Sequence, residues 1–313
     1  MPTRLFTSTC DVRSYARDVK RRGLSLALVP TMGALHDGHR SLLRRAQREC
    51  DAVLVSIFVN PTQFNSPRDF AKYPRDLEKD AEELRELNVD AIFAPHSDEM
   101  YPPGFETYIA PGKLTESFEG SARPGHFRGV STIVLKLFNL VQPDLSYFGQ
   151  KDFQQGRVIQ RMLEDFNLDV RLVICPTVRE GDGLAMSSRN ALLSPDARHA
   201  ATALYRSLRH GETLVHAGEV CAERVLNAMT AILDQERPVE VDYLALVDPT
   251  YLEPVERVTP GTVALVAARI ADTRLIDNLI FGPPGADPEA LVRLAFTDHG
   301  VTASGANRWD IRE

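Results

Sequence analysis

Short apolar runs bounded by turn residues alternate, through the first half of this chain, with longer stretches whose apolar positions recur every three or four residues. The runs at residues 24–29, 52–59, 90–94, 145–148 and 170–174 have the length and composition of strands covered on both faces. Between them, residues 39–50 place Leu42, Leu43, Ala46 and Cys50 on one helical face. Residues 130–141 carry Val130, Ile133, Val134, Leu137, Phe138 and Val141 in the same rhythm, and residues 151–166 repeat it with Ile159, Met162, Leu163 and Phe166. Strand and amphipathic helix in alternation imply parallel strands joined by crossovers, hence an α/β fold with a Rossmann-like, doubly wound sheet. Ligands of such sheets sit at the C-terminal strand ends.

Beyond about residue 180 the pattern changes. Ser194-Pro195-Asp196 has the form of a helix start and opens an Ala-rich helical region to about residue 236. Three strand-like runs follow, at 240–247, 262–269 and 274–281. The expected organisation is a Rossmann-like domain at 1–180, a smaller α+β lid domain at 181–283, and a tail at 284–313. That tail begins near Gly282-Pro283-Pro284-Gly285 and has one short helix around residues 288–296.

Composition narrows the class. A chain of 313 residues is long enough for about two hydrophobic cores, and 43% hydrophobic with 25% charged residues describes a globular protein. The net charge of −7 argues against a nucleic-acid surface, which needs a basic stripe. The densest basic cluster, Arg40, Arg44, Arg45 and Arg48, falls at helical spacing and suits a solvated face. Cys10, Cys50, Cys175 and Cys221 show no paired spacing, which fits a reducing compartment better than a disulfide framework or a zinc site. With no signal-peptide core and no membrane-length apolar run, a cytoplasmic protein without a membrane partner is expected.

Candidate chemistry gathers where strands end and helices begin. After the run 24–29, Pro30-Thr31-Met32-Gly33 leads into Ala34-Leu35-His36-Asp37-Gly38-His39. The first backbone N–H groups of a helix have no partner within it, and the helix dipole adds positive potential, so anions settle there. Two imidazoles at such an end can also donate to phosphate oxygens and stabilise a leaving pyrophosphate. A cap plus a surface histidine is the plainer alternative. Asn60-Pro61-Thr62-Gln63-Phe64-Asn65 ends the run 52–59, and its amides suit a hydroxyl or carboxylate as well as ordinary turn chemistry. In Gly149-Gln150-Lys151-Asp152-Phe153-Gln154-Gln155, Lys151 offers a point charge for phosphate and Asp152 an acceptor for ribose hydroxyls. Gln155, four residues before Ile159, falls on the inward stripe. The Gly-rich stretch 177–190 carries Met186-Ser187-Ser188-Arg189, suited to a loop closing on phosphates. Arg123-Pro124-Gly125-His126-Phe127-Arg128-Gly129, before the helix 130–141, is a fifth candidate, although a basic loop that simply caps that helix explains it adequately.

Taken together, residues 30–39, 56–64, 123–141, 148–155 and 176–190 resemble the pantoate–β-alanine ligase family, ATP-dependent ligases of the HIGH-type nucleotidyl-transferase superfamily. The resemblance runs in order over about residues 20–281. It implies condensation of pantoate with β-alanine to pantothenate, AMP and pyrophosphate through a pantoyl adenylate, as a step towards coenzyme A. It also implies Mg²⁺ accompanying ATP, a homodimer, and no covalent enzyme intermediate. By the match, Met32, Gly33, Ala34, Leu35, His36, Asp37, Gly38 and His39 line the ATP site, with His39 as proton donor and His36 beside it on the phosphates. Gly149, Gln150, Lys151 and Asp152 also bind ATP, Val178 touches adenine, and Met186, Ser187, Ser188 and Arg189 close over the phosphates. Gln63 and Gln155 hold pantoate.

Two positions depart from the family pattern. Gln150 stands where many members carry Glu, and Lys79 interrupts the acidic stretch after Tyr73-Pro74-Arg75, so no protein ligand for Mg²⁺ is assigned. The competing readings are a nucleotidyl transferase with a phosphate acceptor, expected to carry more cations beside Gln63 and Gln155, and a non-catalytic nucleotide-binding module.

Overall fold

A computed structural model describes residues 2–296; the remainder of the expected tail, 297–313, lies outside the described residues. Six strands form one parallel sheet: β1 (Arg4–Phe6), β2 (Leu26–Thr31), β3 (Ala52–Ile57), β4 (Ala91–Phe93), β5 (Leu145–Gly149) and β6 (Arg171–Cys175). Their spatial order is β1-β4-β3-β2-β5-β6. The chain winds outward from β2 through β3 and β4, then returns to lay β5 and β6 on the other side. The order therefore reverses beside β2, which makes the β2–β5 crevice the switch point of a doubly wound sheet.

Helices cover both faces, and β2 shows why its run is continuously apolar. Leu26 and Leu28 join the core under the helices Thr9–Arg21 and His126–Val141. Ala27 and Val29 face the opposite core, with Leu42, Leu43 and Ala46 of the helix Asp37–Glu49 and Ala81 and Leu84 of the helix Leu77–Glu86. A strand buried on both faces has no polar side to alternate with. The first strand and helix, residues 4–21, did not stand out by periodicity. A three-residue strand carries too little pattern to be seen.

β2 also runs further than its apolar stretch suggests, through Pro30 to Thr31. Proline cannot donate to a ladder and is normally kept out of central strands. Here the β2–β5 ladder pairs Ala27 with Leu145 and Leu28 with Ser146 and goes no further, whereas β2–β3 pairing continues to Thr31. Pro30 therefore lies just past the end of the β5 ladder, where no donor is needed. The strands part, and the crevice opens between them.

The second unit is a three-stranded antiparallel sheet, β7 (Val239–Val247), β8 (Val263–Ile270) and β9 (Thr273–Ile280), packed under the helices Pro195–His216 and Ala222–Leu233. The single helical region expected to residue 236 is thus two helices. Gly218, at φ +97°, makes the break, a conformation that costs any other residue a Cβ clash. The helix Pro288–Phe296 lies on the first unit, with the Phe296 ring 4.9 Å from that of Phe153. Among the described residues, no helix is long and apolar enough to cross a membrane.

One glycine governs how closely the helix His126–Val141 approaches the turn Pro61–Gln63. A Cβ at Gly129 would lie 2.5 Å from the Thr62 carbonyl oxygen and 2.6 Å from the Gln63 nitrogen, both backbone atoms that a side chain's flexibility cannot relieve. Gly129→Ala is therefore expected to lower the unfolding free energy by about 1–3 kcal/mol. This overrides the gain of about 1 kcal/mol that alanine brings to a helix interior. Urea denaturation measures it, and an unchanged or raised midpoint would refute the contact.

Candidate active site

The C-terminal ends of β2, β3, β5 and β6 open into one cavity of about 230 Å³. From the β2 side come Met32, His36, Gly38 and His39; from β3, Asn60 and Gln63; from β5, Gly149, Lys151, Asp152 and Gln155. The loop after β6 adds Val178 and Met186, Ser187, Ser188 and Arg189. These residues are up to about 157 positions apart in the chain yet line one cavity.

The two histidines are built into the helix start. His36 is the N-cap of the helix Asp37–Glu49, and its Nδ1 accepts from the Gly38 N–H at 3.1 Å. His39 Nδ1 accepts in turn from the His36 N–H at 3.3 Å, which completes a reciprocal cap. An Nδ1 that accepts a hydrogen bond in a neutral ring leaves the proton on Nε2, so both imidazoles are Nε2–H tautomers. Their ring centroids are 4.1 Å apart. Desolvation first, then His36 and Lys151 as nearby positive partners, push His39 down to about 3; desolvation and Lys151 push His36 down as well. At neutral pH, each ring is an uncharged hydrogen-bond donor held by its own backbone.

Several residues expected at the phosphates do not line the cavity. The Ala34 and Leu35 N–H groups are already taken by the Asp80 carboxylate, at 2.9 and 3.0 Å, and the Gly33 N–H points to Thr31 Oγ1 at 3.2 Å. Asp80, on the acidic helix, is thereby committed to holding this turn, with Ala34 at φ +51°. A Cβ at Gly33 would meet Asp80 Oδ2 at 2.6 Å. Asp37 is exposed and pairs with Arg40 at 2.7 Å. Gln150 is buried against Asn278 rather than facing the cavity. Their contribution is to shape the site, since their polar groups are spent within the protein.

The acceptor side differs from the expectation too. Gln155 lines the cavity but is only partly buried; the amide on the buried stripe is Gln154, which donates to Leu114 and Ser117 carbonyls and accepts from the Glu119 N–H. Gln63 is oriented by Asn60, whose Nδ2 donates to Gln63 Oε1 at 3.1 Å and to the Gly129 carbonyl at 3.1 Å. That leaves the Gln63 amide nitrogen free to donate towards the cavity, where it meets Met32 Sδ at 3.0 Å.

The loop 123–129 does more than cap a helix. Gly125 is the N-cap residue and supplies no side-chain bond, while Arg123 and His126 line the cavity. His126 Nδ1 donates to the Gln63 carbonyl at 2.9 Å, and Arg123 Nη1 lies 3.2 Å from His126 Nε2. Desolvation, helped by Arg123, lowers His126 to about 4. Two further hydroxyls on the cavity wall, Ser56 Oγ and Thr177 Oγ1, are buried without a partner among the described residues. Both fall within the motif stretches 56–64 and 177–190 but carry no individual role there, since a small hydroxyl at a strand end has no signature of its own.

On the closing side, Ser187 caps the short turn Ser188–Leu192 by accepting from the Arg189 N–H at 3.2 Å, and Arg189 lies 3.6 Å from Asp69. Lys151 Nζ is 3.7 Å from Asp152, a loose pair that leaves its donors available. Among the described residues, no group of three or more His, Cys, Asp or Glu side chains is placed to hold a metal ion.

A doubly wound sheet with helix-start donors, a lysine and a Ser-Ser-Arg turn around one switch-point cavity defines a nucleotide-dependent enzyme site. The comparisons with known proteins specify which. The family model described as pantoate–β-alanine ligase matches residues 4–280, and the chain belongs to that family. Relatives include pantothenate synthetases of Thermotoga petrophila, 50% identical over 87% of this chain and 97% of that protein, and of Moorella thermoacetica, 49% identical over 88% and 98%. Among solved structures, the pantothenate synthetase of Thermus thermophilus has a TM-score of 0.84 at 44% identity, covering 90% of this chain and all of that one (100%). The pantoate–β-alanine ligase of Francisella tularensis, complexed with β,γ-ATP and β-alanine, has a TM-score of 0.74 at 33% identity and covers 89% and 97%.

The depressed histidines carry a pH signature. Their ordinary value is 6.5, so as pH falls below it the unfolded chain takes up protons that the folded rings refuse. Stability is therefore lost as pH falls from 6.5 towards about 4 for His126 and about 3 for His39, and is unaffected by either above pH 7. Each contributes a slope of at most about 1.4 kcal/mol per pH unit within its window. Urea denaturation from pH 7.5 to 4.5 should show the decline, and His126→Gln should flatten it. An identical slope in that variant would show that the ring is not desolvated.

Proposed function

We propose that this protein condenses pantoate with β-alanine at the expense of ATP, by way of a pantoyl adenylate. The observation that carries it is the pair of neutral amides, Gln63 and Gln155, lining the same cavity as the donors His36, His39 and Lys151. Amides bind a hydroxy-acid without competing as nucleophiles or imposing charge, and the imidazole and ammonium donors beside them suit phosphates.

In the first step, a pantoate carboxylate oxygen attacks the α-phosphorus of ATP. The new P–O bond forms as the bond to pyrophosphate breaks, and the leaving group carries the displaced electron pair. Such a displacement needs alignment and charge stabilisation more than a protein nucleophile. The Nε2–H groups of His36 and His39 and the Lys151 ammonium supply preorganised donors for that charge. His39 acts here as a neutral hydrogen-bond donor, because its low pKa leaves no imidazolium proton to give at neutral pH. Val178 and Asp152 take the adenine and ribose, and Met186, Ser187, Ser188 and Arg189 close on the phosphates. In the second step, the unprotonated β-alanine amine attacks the acyl carbon, the C–N bond forms, AMP departs with the acyl C–O electrons, and the nitrogen's surplus proton passes to the leaving phosphate or to water. Arg123, on the Gln63 side, is the cation suited to the β-alanine carboxylate.

Mg²⁺ belongs to this reading as the partner of the ATP phosphates, which with water provide most ligands of such an ion. Among the lining's charged and imidazole side chains, Lys, Arg and His outnumber Asp152, its carboxylate, so the cavity fits an ion carried by the nucleotide rather than a protein cage. The 1–180 unit holds both ATP and pantoate, and the 181–283 unit serves as lid. A cytoplasmic homodimer acting on small molecules, with neither nucleic acid nor membrane as partner, completes the reading and rests on the family resemblance and the acidic net charge.

Incubation with Mg-ATP and pantoate alone should support exchange of labelled pyrophosphate into ATP. Exchange independent of pantoate, or none, removes the ligase reading. His39→Ala and Lys151→Ala should each lower turnover by about 10²- to 10³-fold. Near-wild-type turnover in either would remove that residue from the phosphate site.

A further inference from the structure

Two adjacent residues of β9, in the C-terminal sheet, reach back to two of the elements around the ATP cavity, the turn bearing Lys151 and the loop after β6. Asn278 is 1% exposed. Its Nδ2 donates to the main-chain carbonyls of Gln150 and Lys151, each at 2.9 Å, and its Oδ1 accepts from Gln150 Nε2 at 3.0 Å. Both amide protons are used and the oxygen is occupied. The turn Gln150–Asp152 that carries Lys151 has no side-chain cap of its own. Asn278 is what holds it.

Asp277, 3% exposed, serves the other element. Both its oxygens accept from Arg179, at 2.6 and 3.0 Å, a forked pair of fixed geometry. The same guanidinium donates to the carbonyls of Gly183 and Asn278, at 3.1 and 3.2 Å, and stacks 4.0 Å over the Tyr205 ring. Arg179 bridges to Ala185, and the Met186 N–H bonds the Val178 carbonyl at 3.0 Å, so this one side chain anchors the loop that presents Val178 and Met186 to Arg189. Successive side chains of a strand point to opposite faces, which lets neighbours 277 and 278 grip two different segments.

We propose that Asn278 is a positioning residue for the ATP-dependent step, setting the place of Lys151 through its main chain while Asp277 sets the adenine and phosphate loop through Arg179. β9 is thereby a template that spaces the two halves of the ATP site. The proposal rests on the reading of Lys151 as a phosphate ligand. It also explains why an amide stands at 278: a carboxylate there would face two carbonyl oxygens with nothing to donate.

The test is steady-state kinetics and pantoate-dependent pyrophosphate exchange on Asn278→Ala and the isosteric Asn278→Asp, with circular dichroism to establish folding. Displacement of Lys151 by a fraction of an ångström should raise KM for ATP about 10-fold and lower exchange about 10- to 100-fold, with KM for pantoate within about twofold. In a Lys151→Ala background, Asn278→Ala should add less than about twofold, because its effect runs through that lysine. Asn278→Asp, which keeps the buried volume, should show the same pattern and serves alone if the alanine variant does not fold. Unchanged ATP kinetics, a uniform change in all constants that follows loss of Tm, or a full effect persisting without Lys151 overturns the proposal. A silent Lys151→Ala overturns the phosphate reading itself, and with it this route. A silent Asn278→Ala beside a crippled Lys151→Ala overturns the positioning alone.

Discussion

Everything chemical in this molecule depends on β2 and β5 parting company after two residue pairs. Hydrogen bonding between parallel strands leaves no room for a ligand, and the helices crossing each face close the sheet above and below. Where the chain reverses its winding direction, no crossover bridges the two strands. The ladder stops at Leu28 and Ser146, and Pro30 stands just beyond. The crevice inherits the loose ends on either side: the helix start bearing His36 and His39, and the turn bearing Lys151.

The electrostatics of the crevice follow from how those loose ends are satisfied. Two imidazoles about 4 Å apart beside a lysine cannot both carry charge without large cost. Reciprocal capping resolves this by tying each Nδ1 to a main-chain N–H and turning each Nε2–H outward. The buried carboxylate of Asp80 meanwhile occupies the N–H groups of Ala34 and Leu35, which would otherwise be the nearest anion-binding amides. The donors left open to the cavity are therefore those of the histidines and of the side-chain cations, while the turn itself is held by Asp80.

The C-terminal unit is coupled to this site by buried polar contacts as well as by apolar packing, since Val247, Leu252, Val263, Leu265 and Ile280 share a core with Phe148, Phe153 and Ile159 of the first unit. Arg274 joins Glu119 at 2.7 Å and Asp242 at 2.5 Å, Tyr243 donates to Glu119 at 2.9 Å, and Asp277 and Asn278 engage the two ATP-side segments. Bonds of this kind are directional, and leaving one partner buried and unpaired is costly. They specify an orientation between the sheets in a way that greasy contact does not.

The sequence alone determined the α/β class, the alternation that implies parallel strands, and the segments that carry chemistry, because periodicity and turn residues are local signals. His36, His39, Gln63, Lys151, Gln155 and the stretch 186–189 were legible for that reason, each next to a strand end or a helix start, and all of them line one cavity. What lies between segments was not legible. Gly33, Ala34, Leu35, Asp37 and Gln150 share those motifs but turn their polar groups to Asp80, Thr31, Arg40 and Asn278, partners from 2 to 128 positions away. Arg123 and His126 read chiefly as a cap and line the cavity, and Ser56 and Thr177 lay within the motif stretches with no role of their own. The split of the long helical region at Gly218 required a backbone angle, not a composition. Local sequence sets which way a segment folds; only the tertiary structure decided which donors are spent inside the protein and which are left for a ligand, because a hydrogen-bonding group is satisfied by whatever the whole fold brings beside it.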